Sequence, residues 1–134
     1  VITCTPTGDE PRLFLWICSG PVRTERQRAF LKHLRHHEKG PLILVWDRLA
    51  AHRANMVREY IGSCRGFSAE HFPPYAPELN PVEYVWATAK NHDLANLYPE
   101  GLPALDRRIR AMKRRLQRRT DILKGFLKKS SLFC

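Results

Sequence analysis

An apolar run from Leu42 to Trp46, preceded by Pro41 and followed directly by Asp47, is the feature that most constrains the fold. Its length is too short for a membrane span and typical of a β-strand. A strand without polar residues is usually buried on both faces, inside a sheet that helices flank. We therefore predict an interior strand over 42–46, with Asp47 at its carboxyl end.

Turn residues and apolar periodicity predict the remaining elements. These are a hairpin over 1–19 with strands 1–5 and 13–18, a helix from Thr24 to before Gly40, a helix over 53–61, a strand over 67–72, a helix after Asn80 and a last helix over 102–119. Thr24 with Gln27 matches a capping box, and Asn80 followed by Pro81 matches a helix start. The order β-β-α-β-α-β-α-α indicates a mixed α/β domain.

The net charge of +10 is concentrated in one carboxy-terminal segment. From Arg107 to Lys129 there are 11 Lys or Arg residues and one acid, whereas the rest of the chain holds 12 basic and 12 acidic residues. Such a concentration indicates a polyanionic partner such as DNA or RNA, and the alternative is a solvated helix face. The candidate phosphate-binding residues are Arg107, Arg108, Arg110, Arg114, Arg115, Arg118 and Arg119.

Several classes of protein are disfavoured by the sequence. No apolar stretch is long enough to cross a bilayer, and charged residues interrupt the amino terminus where a signal peptide needs an apolar core. The four cysteines are scattered without Cys-x-x-Cys spacing, which argues against a structural zinc site. We therefore expect a cytoplasmic protein with no membrane partner.

Two further features have competing interpretations. His33, His36 and His37 share one helix face and could bind zinc, but no acid or cysteine accompanies them, so an exposed polar face is favoured. Tyr75 lies in a proline-rich loop, where packing on Trp86 is favoured over a contact with DNA.

Two strings carry a resemblance to a known family. The string FPPYAPELNPVEYVW (residues 72–86) closely resembles the signature around the last acid of mariner-like insertion-sequence transposases, in the Asp-Asp-Glu superfamily. The string VWDRLAAHR (residues 45–53) resembles that family's second-Asp motif, including the following His. The separation of 36 positions between Asp47 and Glu83 is also of the family's kind. The resemblance covers most of the chain and implies a ribonuclease H-like mixed sheet flanked by helices.

The resemblance implies that Asp47 and Glu83 are catalytic residues and ligands of Mg²⁺ or Mn²⁺. The implied reaction is metal-dependent DNA strand cleavage and strand transfer at transposon ends. His52 and Arg53 follow Asp47 in a short loop and are candidate nucleic-acid contacts, and the alternative for His52 is a hydrogen-bond partner at a helix start. Each acid also has a local interpretation: Asp47 as a helix cap, and Glu83 as the capping partner of Asn80 whose charge also suits the helix dipole.

The family pattern also requires a first Asp, on a central strand that precedes the hairpin. Asp9 and Glu10 lie in the hairpin turn and are poor substitutes. We therefore expect residues 1–101 to form a partial ribonuclease H-like catalytic domain that lacks its first, central strand, and residues 102–134 to form a basic amphipathic helix and tail. Such a chain is expected to be inactive alone. Its expected partners are DNA, the amino-terminal part of the transposase in cis or in trans, and a second copy in a homodimer. The alternatives are a non-catalytic nucleic-acid-binding remnant and an accessory fragment.

Overall fold

A computed structural model describes residues 1–6, 9–95 and 101–131. The chain is mixed α/β and divides into two compact units, one formed by Cys18–Ala76 and the other by Val1–Ile17 with the chain from Pro77 onward. The elements, in chain order, are β1 (Ile2–Thr3), β2 (Arg12–Leu13), α1 (Thr24–His37), β3 (Leu42–Trp46), α2 (Asn55–Ser63), β4 (Phe67–His71), α3 (Pro81–Thr88), α4 (Leu102–Gln117) and α5 (Thr120–Lys129). Short 3₁₀ helices cover Ala50–Arg53 and Pro77–Leu79, and a π-helical turn covers Ala89–Asp93.

The Cys18–Ala76 unit is built on a parallel pair of strands, β3 and β4. The register pairs Leu42 with Phe67 and Trp46 with His71. Helix α2 connects the two strands and packs against both α1 and β4. Because parallel strands align their carboxyl ends, Asp47 and Phe72, which directly follow β3 and β4, lie at the same edge of the sheet.

One face of β3 is exposed, so the prediction of a strand buried on both faces is wrong. Leu44 and Trp46 are buried, but Ile43 and Val45 are 67% and 40% exposed. The physical reason is alternation: successive side chains of a strand point to opposite faces, and only one face of this pair is covered. The apolar run predicted the strand itself correctly, because its bounds are those expected.

The other unit joins the β1–β2 pair to helices α3, α4 and α5. Its core comes from one strand and the three helices, together with the turn after α3. The core residues are Leu13, Val85, Ala89, Met112, Leu116 and Leu123. Gln117 ties α4 to β2, since its side-chain amide donates to the Leu13 carbonyl at 2.9 Å.

The predicted hairpin and last helix differ from the observed elements. Strands β1 and β2 are antiparallel, which confirms the hairpin, but each has only two residues. Thr7 and Gly8 of the predicted turn lie outside the described residues. The helix predicted over 102–119 is observed as α4, which ends two residues early at Gln117, and a second helix follows after Arg118 and Arg119. The second helix, α5, was not predicted, and it exists because Leu123 and Leu127 are buried by tertiary packing.

The two predicted helix starts have different outcomes. Helix α1 begins at Thr24 as predicted, but its N-cap is Arg23 and no side chain caps it, so the capping box is wrong. The first helical bond runs from the Gln27 amide to the Arg23 carbonyl, which places Thr24 inside the helix. The start of α3 is confirmed, with Asn80 as N-cap and Pro81 in the first turn. Among the described residues, no helix combines the length and the apolar character that crossing a membrane requires.

Candidate active site and nucleic-acid interface

Asp47 lies directly after β3, where the chain turns into the 3₁₀ helix Ala50–Arg53. Its Oδ1 atom accepts a hydrogen bond from the Leu49 amide at 3.0 Å, which closes a tight turn. The same oxygen lies 2.7 Å from Nδ1 of His52. Two donors therefore fix one oxygen of the carboxylate.

His52 is held in place from two sides. Its ring stacks on the buried Trp46 ring, with centroids 4.2 Å apart and an interplanar angle of 3°. Its Nδ1 also lies 3.2 Å from the Asp47 backbone carbonyl. The His52 side chain is only 15% exposed, whereas the Asp47 side chain is 52% exposed. The stacking and the hydrogen bonds together present a rigid imidazole to a carboxylate that faces solvent.

Asp47 does not serve as a helix cap, so that local interpretation is wrong. The N-cap of the 3₁₀ helix is Leu49 and that of α2 is Ala54. Within the described parts of the chain, Oδ2 of Asp47 has no hydrogen-bonding or ionic partner. An accessible carboxylate with one free oxygen fits Mg²⁺, which takes one or two carboxylates and completes its shell with water and phosphate oxygens.

Glu83 occupies the first turn of α3 and is exposed. The cap of this helix is complete without the Glu83 side chain. The side-chain Oδ1 of Asn80 accepts from the Val82 backbone amide at 3.1 Å, and the backbone amide of Asn80 donates to the Pro77 carbonyl at 3.0 Å. A capping box would need that Asn80 amide for the Glu83 carboxylate, so the capping interpretation of Glu83 is wrong. Nothing in the described residues forms an ion pair or a hydrogen bond with this carboxylate.

The predicted site residues fall into the two units. Asp47, His52 and Arg53 belong to Cys18–Ala76, and the first two are in direct contact. Glu83 and the basic helix belong to the other unit. Across residues 1–6, 9–95 and 101–131, no three His, Cys, Asp or Glu side chains form a group that could hold a metal ion.

The histidine cluster and the proline-rich loop have simpler outcomes. His33 and His37 lie on α1 with ring centroids 4.4 Å apart, and His37 Nδ1 contacts the His33 carbonyl. The described chain contains no group of three or more His, Cys, Asp or Glu side chains that could hold a metal ion, and this includes the histidines of α1. Tyr75 is fully exposed, with a positive φ of 59°, so the prediction that it packs on Trp86 is wrong.

The seven candidate arginines divide into two sets. Four make contacts within their unit: Arg108 donates to the Asp93 carbonyl, Arg110 pairs with Asp106, Arg115 pairs with Asp93, and Arg119 pairs with Asp121. The Arg119 guanidinium donates hydrogen bonds that lower the pKa of Asp121 to about 2. In the described residues the other three, Arg107, Arg114 and Arg118, have no such partner and are exposed.

Sequence reasoning missed two kinds of contact. It placed His52 near nucleic acid but did not identify His52 as the partner of Asp47, since an i to i+5 contact depends on the turn between them. It also treated the arginines as equivalent. The Arg110–Asp106 pair could have been predicted from its i, i+4 spacing on a helix. The Arg115–Asp93 pair joins residues 22 positions apart, so local spacing could not predict it.

Comparison with known proteins identifies a family. A family model described as DDE superfamily endonuclease matches residues 7–105, which is most of the chain. No curated protein matches the chain. No solved structure matches it either. The matched residues include both Asp47 and Glu83.

Proposed function

The chain belongs to the DDE superfamily endonucleases, and from that membership we propose that it carries two metal-binding carboxylates of a mariner-like transposase, Asp47 and Glu83. The proposed reaction is metal-dependent cleavage and transfer of DNA strands at transposon ends. One observation carries the proposal: His52 and the Leu49 amide fix one oxygen of Asp47 and leave the other without a partner in the described residues.

The chemistry of the proposal follows from the residues at the end of β3 and the start of α3. Mg²⁺ or Mn²⁺, when bound, activates the attacking water or 3′-hydroxyl and stabilises negative charge on the scissile phosphate. Asp47 would hold metal through its free oxygen, and Glu83 through an exposed carboxylate that no helix cap consumes. His52 carries its proton on Nδ1 toward Asp47 and orients that carboxylate.

The proposed fold is a ribonuclease H-like sheet to which a further strand adds. In the described residues β3 pairs only with β4, so its second edge is open. Ile43 and Val45 are exposed, although parallel sheets are almost always covered on both faces. In this proposal the added strand brings the third carboxylate, in cis or in trans, and residues 1–101 are inactive without it. Residues 102–134 act as a basic appendage.

Manganese binding tests the carboxylate assignment directly. Mn²⁺ is titrated into the full chain, and the free ion is followed by electron paramagnetic resonance. Asp47→Asn and Glu83→Gln are each expected to weaken binding by more than about tenfold, because removing a ligand costs more than removing its supporting partner. Glu59→Gln and Glu78→Gln remove exposed acids from the same two units and should bind as the unaltered chain does. Equal affinity in all five proteins contradicts the assignment.

A plasmid-nicking assay tests whether the chain is complete. The purified chain with Mg²⁺ or Mn²⁺ is expected to leave supercoiled plasmid intact. Nicking that Asp47→Asn abolishes would overturn the need for a further carboxylate and keep the function. Nicking that survives both Asp47→Asn and Glu83→Gln would overturn the assignment of these acids.

A second candidate function is non-catalytic binding of nucleic acid, which the +10 charge of the 107–129 segment favours. In that case the acids are idle, and the chain acts through α4 and α5. The Mn²⁺ titration separates the two functions. A chain that binds DNA but takes up Mn²⁺ equally well with and without the Asp47 carboxylate supports the second one.

A further inference from the structure

Helix α4 has two opposite faces. Met112 and Leu116 are buried in the core of their unit, with Leu105 and Ile109 partly buried on the same side. An α-helix turns by about 100° per residue, so Arg114 lies about 160° from Leu116. The face that carries Arg114 is therefore directed away from the core.

Arg107, Arg114 and Arg118 form one line on that outer face, here called the arginine stripe. Their spacings of seven and four residues keep all three within about 40° of one another around the helix axis. With a rise of about 1.5 Å per residue, the stripe is about 16 Å long. Arg118 is the C-cap and keeps right-handed helical backbone angles, so it continues the line. Ala111 is exposed between Arg107 and Arg114 and leaves their side chains unobstructed.

Ion pairing separates the stripe from the other arginines. Arg110, Arg115 and Arg119 donate to carboxylates at 2.6 to 2.7 Å, so a phosphate would have to displace an existing partner. The stripe arginines have no carboxylate partner in the portion of the chain that the structure describes. Of the seven candidate arginines, the three in the stripe are therefore those that no carboxylate or carbonyl engages in the described residues.

We propose that Arg107, Arg114 and Arg118 contact the phosphate backbone of DNA, whereas the ion-paired arginines stabilise the fold of their unit. The identity of the partner rests on the proposed function. The geometry suits it, because each strand of a duplex has a phosphate about every 3.4 Å along the axis, so the stripe spans about five of them. Guanidinium groups bind phosphate oxygens in a bidentate manner. Contacts of this kind fix position on DNA and carry no sequence information.

The test compares two triple variants of the full chain that lose the same charge. The stripe variant is Arg107→Gln, Arg114→Gln and Arg118→Gln, and the matched control is Arg110→Gln, Arg115→Gln and Arg119→Gln. These six positions are the only ones changed. Binding to a fluorescent random-sequence duplex is measured by anisotropy at several KCl concentrations. The slope of log K against log salt is negative, and each lost phosphate contact reduces its magnitude by about 0.9, so the magnitude should fall by about 2.7 in the stripe variant and by less than about 1 in the control.

Equal slope losses in the two variants would show that only the overall charge matters and would overturn the stripe. An unchanged slope in the stripe variant would also overturn it. Should the control triple fail to fold by circular dichroism, the single variants Arg114→Gln and Arg110→Gln provide the comparison, with expected slope losses of about 0.9 and about zero.

Two further measurements test the chemical nature of the partner and keep the stripe distinct from the carboxylate site. Polyglutamate that binds as tightly as the duplex at equal salt would overturn DNA as the partner. The Mn²⁺ titration uses no DNA, so it tests the carboxylate site independently. Loss of Mn²⁺ binding in Asp47→Asn together with an unchanged salt slope in the stripe variant would retain the proposed function and remove the stripe.

Discussion

Replacing His52 tests whether the imidazole positions Asp47 for metal. His52 contacts the carboxylate only through Nδ1, at 2.7 Å, and that oxygen has one other donor, the Leu49 amide. His52→Ala leaves this single donor, so the carboxylate gains rotational freedom. Removing such a supporting partner typically weakens metal binding by about 10- to 100-fold. At about 1.4 kcal/mol for each factor of ten, this corresponds to about 1.4 to 2.8 kcal/mol.

Two polar substitutions distinguish positioning from packing. The amide nitrogen of Asn occupies the place of Nδ1, whereas that of Gln reaches the place of Nε2. His52→Asn therefore retains a donor toward Asp47, and both variants lose the stack on Trp46. We expect the Mn²⁺ affinity of His52→Asn to stay within about fivefold of that of the unaltered chain. The Mn²⁺ affinity of His52→Gln should fall to nearly that of His52→Ala, because both lose the supporting partner of Asp47.

The assay is the electron paramagnetic resonance titration of Mn²⁺, with urea unfolding of each variant as the measure of structural damage. A purely structural role predicts that Asn, Gln and Ala lower the unfolding midpoint and the Mn²⁺ affinity in parallel. The reasoning is refuted by a folded His52→Ala chain that binds Mn²⁺ normally. It is also refuted by an Asn variant that binds no better than the Gln variant.

Two predictions concern stability and are measured by urea unfolding followed by circular dichroism. Gly66 has a φ of +70°, so Gly66→Ala should destabilise by about 1–2 kcal/mol, whereas Gly125→Ala in α5, where an added Cβ meets open space, should stabilise by about 0.5–1 kcal/mol. Stabilisation by Gly66→Ala, or destabilisation by Gly125→Ala, would contradict the assigned backbone. The pKa of Asp121 is lowered from 3.8 to about 2, so its pair with Arg119 stabilises the fold above about pH 4 and loses this effect as the pH falls toward 2. Asp121→Asn should therefore lower the midpoint at pH 7, and the difference from the unaltered chain should vanish near pH 2. A difference that is independent of pH would refute the pairing.

Local signals predicted the elements around the candidate site. The bounds of β3 and the Asn80 cap of α3 follow from apolar runs and turn residues, which act over a few positions. The break between α4 and α5 carries no Gly or Pro. It depends on where Leu123 and Leu127 find buried positions, which is a property of the folded unit. Exposure of Ile43 likewise depends on which elements cover the sheet.

The same distinction applies to the candidate site. The family motif predicts Asp47 and Glu83 as the carboxylates of the site, but their local interactions could not be predicted from it. Whether Asp47 caps a helix depends on where the following helix begins, and the chain inserts a 3₁₀ helix that begins after Leu49. Whether Glu83 completes a capping box depends on the backbone amide of Asn80, which instead donates its hydrogen bond to the Pro77 carbonyl. In both cases backbone geometry excludes the carboxylate from helix capping, although Oδ1 of Asp47 still closes the turn at Leu49.

The acids around α4 show how one basic segment can both fold and bind. Asp106 pairs with Arg110 within α4, Asp121 pairs with Arg119 at the start of α5, and Asp93 pairs with Arg115, which ties α4 to the turn after α3. Arginines at i, i+7 and i+11 lie opposite the buried face and out of reach of those acids. A helix with the same composition but with its acids on that outer face would keep its net charge and lose the stripe. The arrangement of the few acids, rather than the number of arginines, therefore determines which arginines of this unit remain unpaired in the described residues.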